Sequence, residues 1–281
     1  MSAGDLITTN GQWELNGLLM GQGTTYVVED FAMWIAPEIR AGELNRAQQH
    51  GMYPGTDWLG ARMVSAVVNI TPSTQTAEMA AMQALTGAWQ PPTGGTTVPL
   101  VWQVGDGVKY RLNGKPRLAS PSFEYWMPSE CRFIATDPRI YANTESSATT
   151  SLSTASGGLT FAATAPFVFG TSGTGSTMTC TNSGNFSAPW VATFTGPLVA
   201  PTLTHVSSGK VLAFTGTIAS GETLVVDSAA KTVLLNGTAS RYSWLLSTSR
   251  WFDLDPGSNA VNFGGASGAG SVSIAWRSAW L

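Results

Sequence analysis

The sequence predicts a mainly β protein of two domains, with one helix in the first and an antiparallel β-sandwich or jelly roll as the second. Three observations carry this reading. Charged residues make up only 11% of the 281, against about 25% in an ordinary soluble domain. Glycine occurs 31 times, and serine and threonine recur throughout. Short Val- and Thr-rich runs alternate in polarity and are punctuated by Gly-containing turns, the pattern of strands in close succession. The 11 Trp and 11 Phe argue against disorder, because so much aromatic surface needs a dry environment. A chain this poor in charge is expected to hide part of its surface against other subunits.

Taken in order, Thr24–Phe31 and Ala61–Ile70 read as strands. The helix follows, near 74–90, where Ala77 to Leu85 are good helix formers and Thr74 or Ser73 caps the start. Met79, Met82, Leu85 and Trp89 fall on one stripe, expected to face the core, and Pro91–Pro92 ends the run. Pro99–Val104, Gly107–Leu112 and Glu130–Ala135 return to strand character, and Asn113–Gly114 is expected to turn the chain between two of them. The first domain is placed over residues 1–142 and the second over 143–281, with a Ser/Thr/Gly-rich junction at 143–158. No Asp, Glu, Lys or Arg occurs from 146 to 209. The second domain then shows about eight strands, at Thr177–Thr181, Trp190–Thr195, Thr202–Val206, Lys210–Thr217, Thr223–Asp227, Thr232–Leu235, Ala260–Phe263 and Ser271–Arg277. Glycine turns separate many of them, Asn236–Gly237 among them.

Composition also excludes functions. A net charge of −3 is no footprint for nucleic-acid binding, and the one local basic group, Lys109, Arg111, Lys115 and Arg117, reads as a solvated hairpin face. Cys131 and Cys180 are too few to staple the chain and read as small apolar residues. No basic start precedes an apolar run, so no secretory signal is expected, and no stretch is long and apolar enough for a membrane helix. Asn69, Asn185 and Asn236 begin glycosylation triplets, which arise by chance in a chain so rich in Ser and Thr.

Catalytic constellations are lacking. His50 and His205 are the only histidines, and each is expected to pack or to make local hydrogen bonds. A zinc site from His50, Cys131, Cys180 and His205 lacks the close-spaced ligand pairs such sites use. The segments 170–174 and 265–269 miss the nucleophile-elbow pattern at its last glycine, and Gly209–Lys210 lacks the rest of a phosphate loop. Asp253 and Asp255 are better explained by a turn into Pro256–Gly257 than by a calcium loop. No catalytic, cofactor-binding or metal-binding residue is therefore assigned, and no enzyme activity is expected.

The most specific signal is an ordered series of short motifs. Asn16-Gly-Leu-Leu-Met-Gly21, Gln48-Gln-His-Gly51 and Gly60-Ala-Arg62 precede the helix, and Cys131-Arg-Phe-Ile-Ala-Thr-Asp-Pro-Arg-Ile-Tyr141 follows it. Thr181-Asn-Ser-Gly-Asn185, Ala188–Pro189, Phe194-Thr-Gly196, Pro201-Thr-Leu203, Leu224-Val-Val-Asp227, Lys231-Thr-Val233, Asn236–Gly237 and Arg241 come next. Trp251-Phe-Asp-Leu-Asp-Pro-Gly-Ser-Asn259 and Trp276-Arg-Ser-Ala-Trp280 close the series. The Asn182–Asn185 and Leu254–Asn259 pieces are the most specific.

This order resembles the distal tail protein family of siphophages, the minor tail proteins of phages of actinobacteria included. The resemblance implies a β-rich N-terminal domain that packs into a hexameric ring continuing the tail tube, and a galectin-like C-terminal sandwich. The implied partners are further copies of the chain, the tail tube protein, the tape measure protein, and tail-tip hub or receptor-binding proteins, with DNA only in transit. The implied location is the distal end of the tail in the virion, after synthesis in the host cytoplasm. A carbohydrate-binding module assisting adsorption to the host cell wall is the alternative. Its sugar-binding candidates are Trp244, Trp251, Trp276 and Trp280, whose plainer role is to fill the sandwich core and its seam.

Overall fold

The computed structural model describes residues 2–71, 74–120, 128–153 and 176–281. The segment 170–174, Pro72 and Ser73 lie outside them. The chain forms two compact units, Met1–Thr144 with Leu281, and Glu145–Trp280.

In the first unit, β1 (Gln12–Leu15), β2 (Leu18–Gly21), β3 (Tyr26–Glu29) and β4 (Arg62–Ile70) precede α1 (Gln75–Ala88). After the helix come β5 (Val98–Gln103), β6 (Lys109–Ser120), β7 (Ser129–Ala135) and β8 (Ile140–Ala142). The sheet order is β2-β1-β5-β6-β7-β4-β3, with β8 also on β6. The two end strands are consecutive in the chain, so the sheet has to curl until they lie side by side. Asn16–Gly17 makes the two-residue β1–β2 turn with both φ values positive, at 49° and 79°, the geometry Asn-Gly supplies readily. Asn16 Nδ2 also donates to the Ala88 carbonyl at 2.7 Å and so satisfies an orphan acceptor at the end of α1.

Asn113–Gly114 does not turn the chain as expected. Both residues lie inside β6, which pairs with β5 over 109–114 and with β7 from Lys115 onward. The strand is shared between two halves of the sheet, and Gly114 sits at the change-over. A Cβ there would come within 2.4 Å of the Ile134 carbonyl oxygen, so a glycine is needed for the strands to approach rather than for a reversal. The four basic residues of β6 still share one face, at alternate positions.

The helix begins where Thr74 Oγ1 accepts from the Ala77 amide at 3.2 Å. Met82, Leu85 and Trp89 are buried, but Met79, assigned to the same stripe, is 52% exposed. The stripe spans about three turns, and its first member lies at the exposed end of it.

Two identical devices enter strands. Asp106 accepts from the Val108 amide at 2.9 Å and from the Tyr110 hydroxyl at 2.6 Å. Asp137 likewise accepts from the Arg139 amide at 3.1 Å and from Tyr141 at 2.5 Å. Burial, together with the Asp106 hydrogen bond, pushes the Tyr110 hydroxyl up to about 12. Burial and then Asp137 raise Tyr141 further, and burial first, then the Glu130 charge, pushes the Cys131 thiol up to about 12. Cys180, in the second unit, rises to about 11 by burial.

These shifts set a pH dependence. Each is an acid whose folded pKa exceeds its unfolded one, so the unfolded chain loses protons first and stability falls as pH rises. The window opens near the ordinary value of the unburied group, 9.0 for the thiols and 10.0 for the tyrosines. The first unit carries three of the four groups, so it is expected to melt before the second between about pH 9 and 12. Near-ultraviolet circular dichroism across that range, with segment-resolved hydrogen exchange, checks the order of loss.

The second unit is a sandwich of antiparallel sheets. One sheet runs β9 (Ser146–Ser151), β17 (Ser271–Trp276), β11 (Trp190–Thr195), β14 (Thr223–Asp227) and β15 (Thr232–Leu235), with Ala239–Ser240 at its edge. The other runs β10 (Ser176–Asn182), β16 (Gly257–Gly264), β12 (Thr202–His205) and β13 (Lys210–Ala213). Alternation decides the core: Ala192, Phe194, Leu224, Val226, Val272 and Ile274 from the first sheet are fully buried, as are Cys180, Leu203, Leu212, Val261 and Phe263 from the second. Phe194 meets Phe263 across the core with ring centroids 5.9 Å apart. The Ser/Thr run after Glu145 supplies an edge strand, β9, a position that needs little apolar content.

Two buried asparagines hold the end of this sandwich. Asn182 donates to the carbonyls of Phe186 and Leu254 and accepts from the amides of Gly184 and Ala279. Asn259 donates to the carbonyls of Cys180, Asp255 and Gly257 and accepts from the Asp255 amide. The two motifs that best carry the family resemblance are thus the ones with a buried polar hub, where a full set of partners ties several loops to one side chain.

Candidate functional site

Three surface features stand out, two on the first unit and one on the second. The first is an arm between β3 and β4. From Glu38 to Trp58 every residue is exposed. The arm contains two short antiparallel ribbons, Ile39–Arg40 with Trp58–Leu59, and Leu44–Asn45 with Met52–Tyr53. Between the ribbons Gly55 crosses Gly42 so closely that a Cβ on Gly55 would lie 1.8 Å from the Gly42 carbonyl oxygen. Gln48–Gly51, with His50, forms the exposed tip, and Gln48 and Gly51 take positive φ. Ile39, Leu44, Met52, Tyr53 and Trp58 are 51–70% exposed. An isolated two-stranded ribbon is at best marginal in water, and this one displays apolar side chains that gain nothing from solvent.

The arm's root is anchored firmly. Trp13, Trp102 and Tyr110 form one cross-strand row on β1, β5 and β6. Phe31 packs edge-on against Trp13 at 5.4 Å, and Trp34 against Tyr110 at 5.3 Å. Arg62 is fully buried; its Nη1 donates to the Ile35 carbonyl at 2.5 Å and its Nε to the Pro138 carbonyl at 2.7 Å. No carboxylate among the described residues forms an ion pair with it, and burial lowers its pKa. Gly60-Ala-Arg62 and Asp137–Pro138, both motif pieces, therefore meet at the arm's root.

The second feature is a groove of about 430 Å³ along α1, lined by Met79, Met82, Gln83, Thr86, Gly87 and Gln90. The third is a cavity of about 290 Å³ on the second unit. Phe252 and Leu254 point inward on an extended segment, so Trp251, Asp253 and Asp255 fall on the other side and line the cavity. Lys231 places its Nζ 4.9 Å from the Trp251 ring centroid. Lys210, Ser187 and Ser208 complete the wall, and His205 lies at its base.

His205 is 1% exposed and stacks on Phe252 with centroids 5.0 Å apart. Asn259 gives its Nδ2 to three carbonyls, so its Oδ1 must be the acceptor facing His205 Nε2 at 2.9 Å. That assigns the ring N–H to Nε2 and leaves Nδ1 to accept from the Ser208 hydroxyl at 2.8 Å. Ser208 Oγ in turn accepts from the Lys210 amide at 3.4 Å, which makes the Ser208–His205 contact part of a closed turn.

The structure separates the other sequence candidates. Cys131 and Cys180 are free thiols buried in different units, and His50 is on the arm. No group of three or more His, Cys, Asp or Glu able to hold a metal occurs among the described residues. Asp255 enters the Pro256–Gly257 turn, where Asn259 bonds both its amide and its carbonyl. Of the four tryptophans proposed for sugar binding or core filling, Trp276 is buried and donates to the Thr181 carbonyl at 2.9 Å. Trp244, Trp251 and Trp280 are half-buried, and Trp251 is the one that lines the cavity. The arm carries no signal of regular periodicity; a gap of some thirty residues between strands, holding several large apolar side chains, was its trace in the sequence.

Residues 183–280 match the family of siphovirus-type tail components through its C-terminal domain. No curated protein matches the chain. The fold is similar to that of SPP1 Dit, described as a paradigm of the hub adsorption apparatus in phages infecting Gram-positive hosts, with a TM-score of 0.68 at 15% identity over 96% of this chain and 99% of that one. It is also similar to a chain of the phage P2 baseplate in its activated conformation with Ca, with a TM-score of 0.51 at 9% identity over 94% and 97% of the two chains. The form of that baseplate with Sr scores 0.52 at 8% identity over the same shares. The match over residues 183–280 and the likeness of fold to SPP1 Dit both support the resemblance to the distal tail proteins read from the motifs.

Proposed function

We propose that copies of this chain close head to tail into a hexameric ring at the distal end of the tail, joining the tail tube to the tail-tip apparatus, with no catalytic role. The exposed apolar arm carries this reading. A closed ring uses two different patches on each subunit, and the first unit offers two: the arm, and the groove along α1. In the ring the arm of one copy lies in its neighbour's groove, burying Trp58 and Tyr53 against Met79 and Met82. The family match over 183–280 and the fold likeness to SPP1 Dit support the setting. The tail tube protein, the tape measure protein and the hub or receptor-binding proteins are the partners this position implies, and DNA passes through only in transit.

Light scattering after gel filtration, with negative-stain imaging, tests the proposal on the full chain. Hexameric rings are expected, or monomers that close into rings as concentration rises. Replacing residues 39–58 by a short Gly/Ser loop should abolish rings. Met79→Asp should raise the assembly midpoint by tenfold or more, about 1.4 kcal/mol, with an unchanged melting temperature because Met79 is already exposed. Monomers at every concentration, or rings that survive loss of the arm, overturn it.

A further inference from the structure

We infer that the cavity beside Trp251 on the second unit is a binding site for a neutral saccharide, one sugar ring deep. The inference is independent of the ring, since the cavity is built wholly from residues of the second unit.

Four observations lead to it. First, the volume of about 290 Å³ lies at the small end of the ligand-pocket range, roughly 300–1,000 Å³, which suits a single ring better than an extended chain. Second, the wall mixes one aromatic plane with polar groups, and these groups come as complements. Asp253 and Asp255 bring carboxylate acceptors, Lys210 and Lys231 bring ammonium donors, and Ser187 brings a hydroxyl that does both. A polyol presents the matching surface: hydroxyls that donate and accept around the rim, and C–H groups that pack against the part of the Trp251 indole that Lys231 leaves uncovered.

Third, the charges balance. Two carboxylates and two ammonium groups line it, so the site has no net attraction for a strongly anionic or cationic ligand. A phosphorylated or carboxylated ligand would bring a charge that half the wall repels, whereas a neutral polyol meets every wall group without an uncompensated charge.

Fourth, the walls are held in place before any ligand arrives. Trp251, Asp253 and Asp255 project from one side of an extended segment whose other side, Phe252 and Leu254, is locked in the core. His205 stacks beneath on Phe252 and is tied to Asn259, which also fixes the Asp255 turn. Lys231 is set over Trp251 by the cation–π contact. Preorganisation of this kind lowers the ordering cost that limits weak polar binding.

The test titrates the full-length protein with methyl glucoside, methyl galactoside and N-acetylglucosamine, with glucuronic acid and glucosamine as charged comparators, read by saturation-transfer NMR. Saturable binding of at least one neutral sugar is expected, with a Kd on the order of 1 mM. Trp251→Ala and the isosteric Asp253→Asn should each weaken it by tenfold or more, while Tyr242→Ala, an exposed aromatic outside the cavity, should leave it unchanged. Should Trp251→Ala fail to fold, Asp253→Asn still decides. Absence of saturable binding by all three neutral sugars overturns the inference. So does tighter binding of a charged comparator, or neutral-sugar binding that Asp253→Asn leaves intact. Rings that form without sugar binding would overturn this inference alone.

Discussion

Asn259→Ala is expected to destabilise the second unit strongly while leaving the first as it is. The amide of Asn259 serves five partners at once: three carbonyls, the Asp255 amide and His205 Nε2. Alanine leaves two of these buried donors without an acceptor, at about 1–3 kcal/mol each, and releases the turn that carries Asp255. A total on the order of 4 kcal/mol is a large share of the 5–15 kcal/mol typical of a whole domain. Calorimetry should show the two units separating, with the second melting more than about 10 °C lower. Asn259→Asp is the sharper control: it keeps shape and the two accepted bonds, but sets a carboxylate against three carbonyl oxygens. An Asp variant as stable as the parent would refute the hub.

Arg62→Met is expected to act on the first unit. Its two bonds, to the carbonyls of Ile35 and Pro138, are charge-assisted and about 1.5–3 kcal/mol each. Removing a buried guanidinium also relieves its desolvation, which offsets part of that loss. A net cost of about 2–3 kcal/mol follows, or roughly 5–10 °C in the melting temperature of the first unit. The diagnostic part is local. Hydrogen exchange should rise most at residues 33–40 and 58–62, where the arm leaves the sheet, and the ring should form only at higher concentration. Uniform loss of protection across the unit, with the arm's root no different from the rest, would reduce Arg62 to a generic core residue.

Legibility varied with the range of the interaction. The alternation of 190–195, 223–227 and 232–235 in the sequence is the burial alternation of the sandwich itself, because a period of two is a local property of a strand. The helix was legible from its formers, its cap and the Pro91–Pro92 stop for the same reason. Three of the four Asn-Gly pairs show where locality ends. Asn16–Gly17 and Asn236–Gly237 take positive φ, and Asn113–Gly114 runs straight through β6. What decides the third pair is Ile134 on a strand twenty residues away, against which only a glycine fits.

The cavity was half legible. Trp251-Phe-Asp-Leu-Asp255 alternates in the sequence, yet the two faces are equivalent until the core claims Phe252 and Leu254. Lys210 and Lys231 reach the same place from separate hairpins, and no spacing in the chain announces that.

What the sequence by itself determined is the class of fold and the family resemblance that its motifs carry, since composition, periodicity and short motifs are all local. Only the tertiary structure decided which apolar residues stay outside. Trp58 and Leu44 are as hydrophobic as Trp102 and Leu100, but the sheet closes over one pair and the arm carries the other away from it. Burial is a property of what the rest of the chain leaves uncovered, and it emerges only once every strand has found its partner.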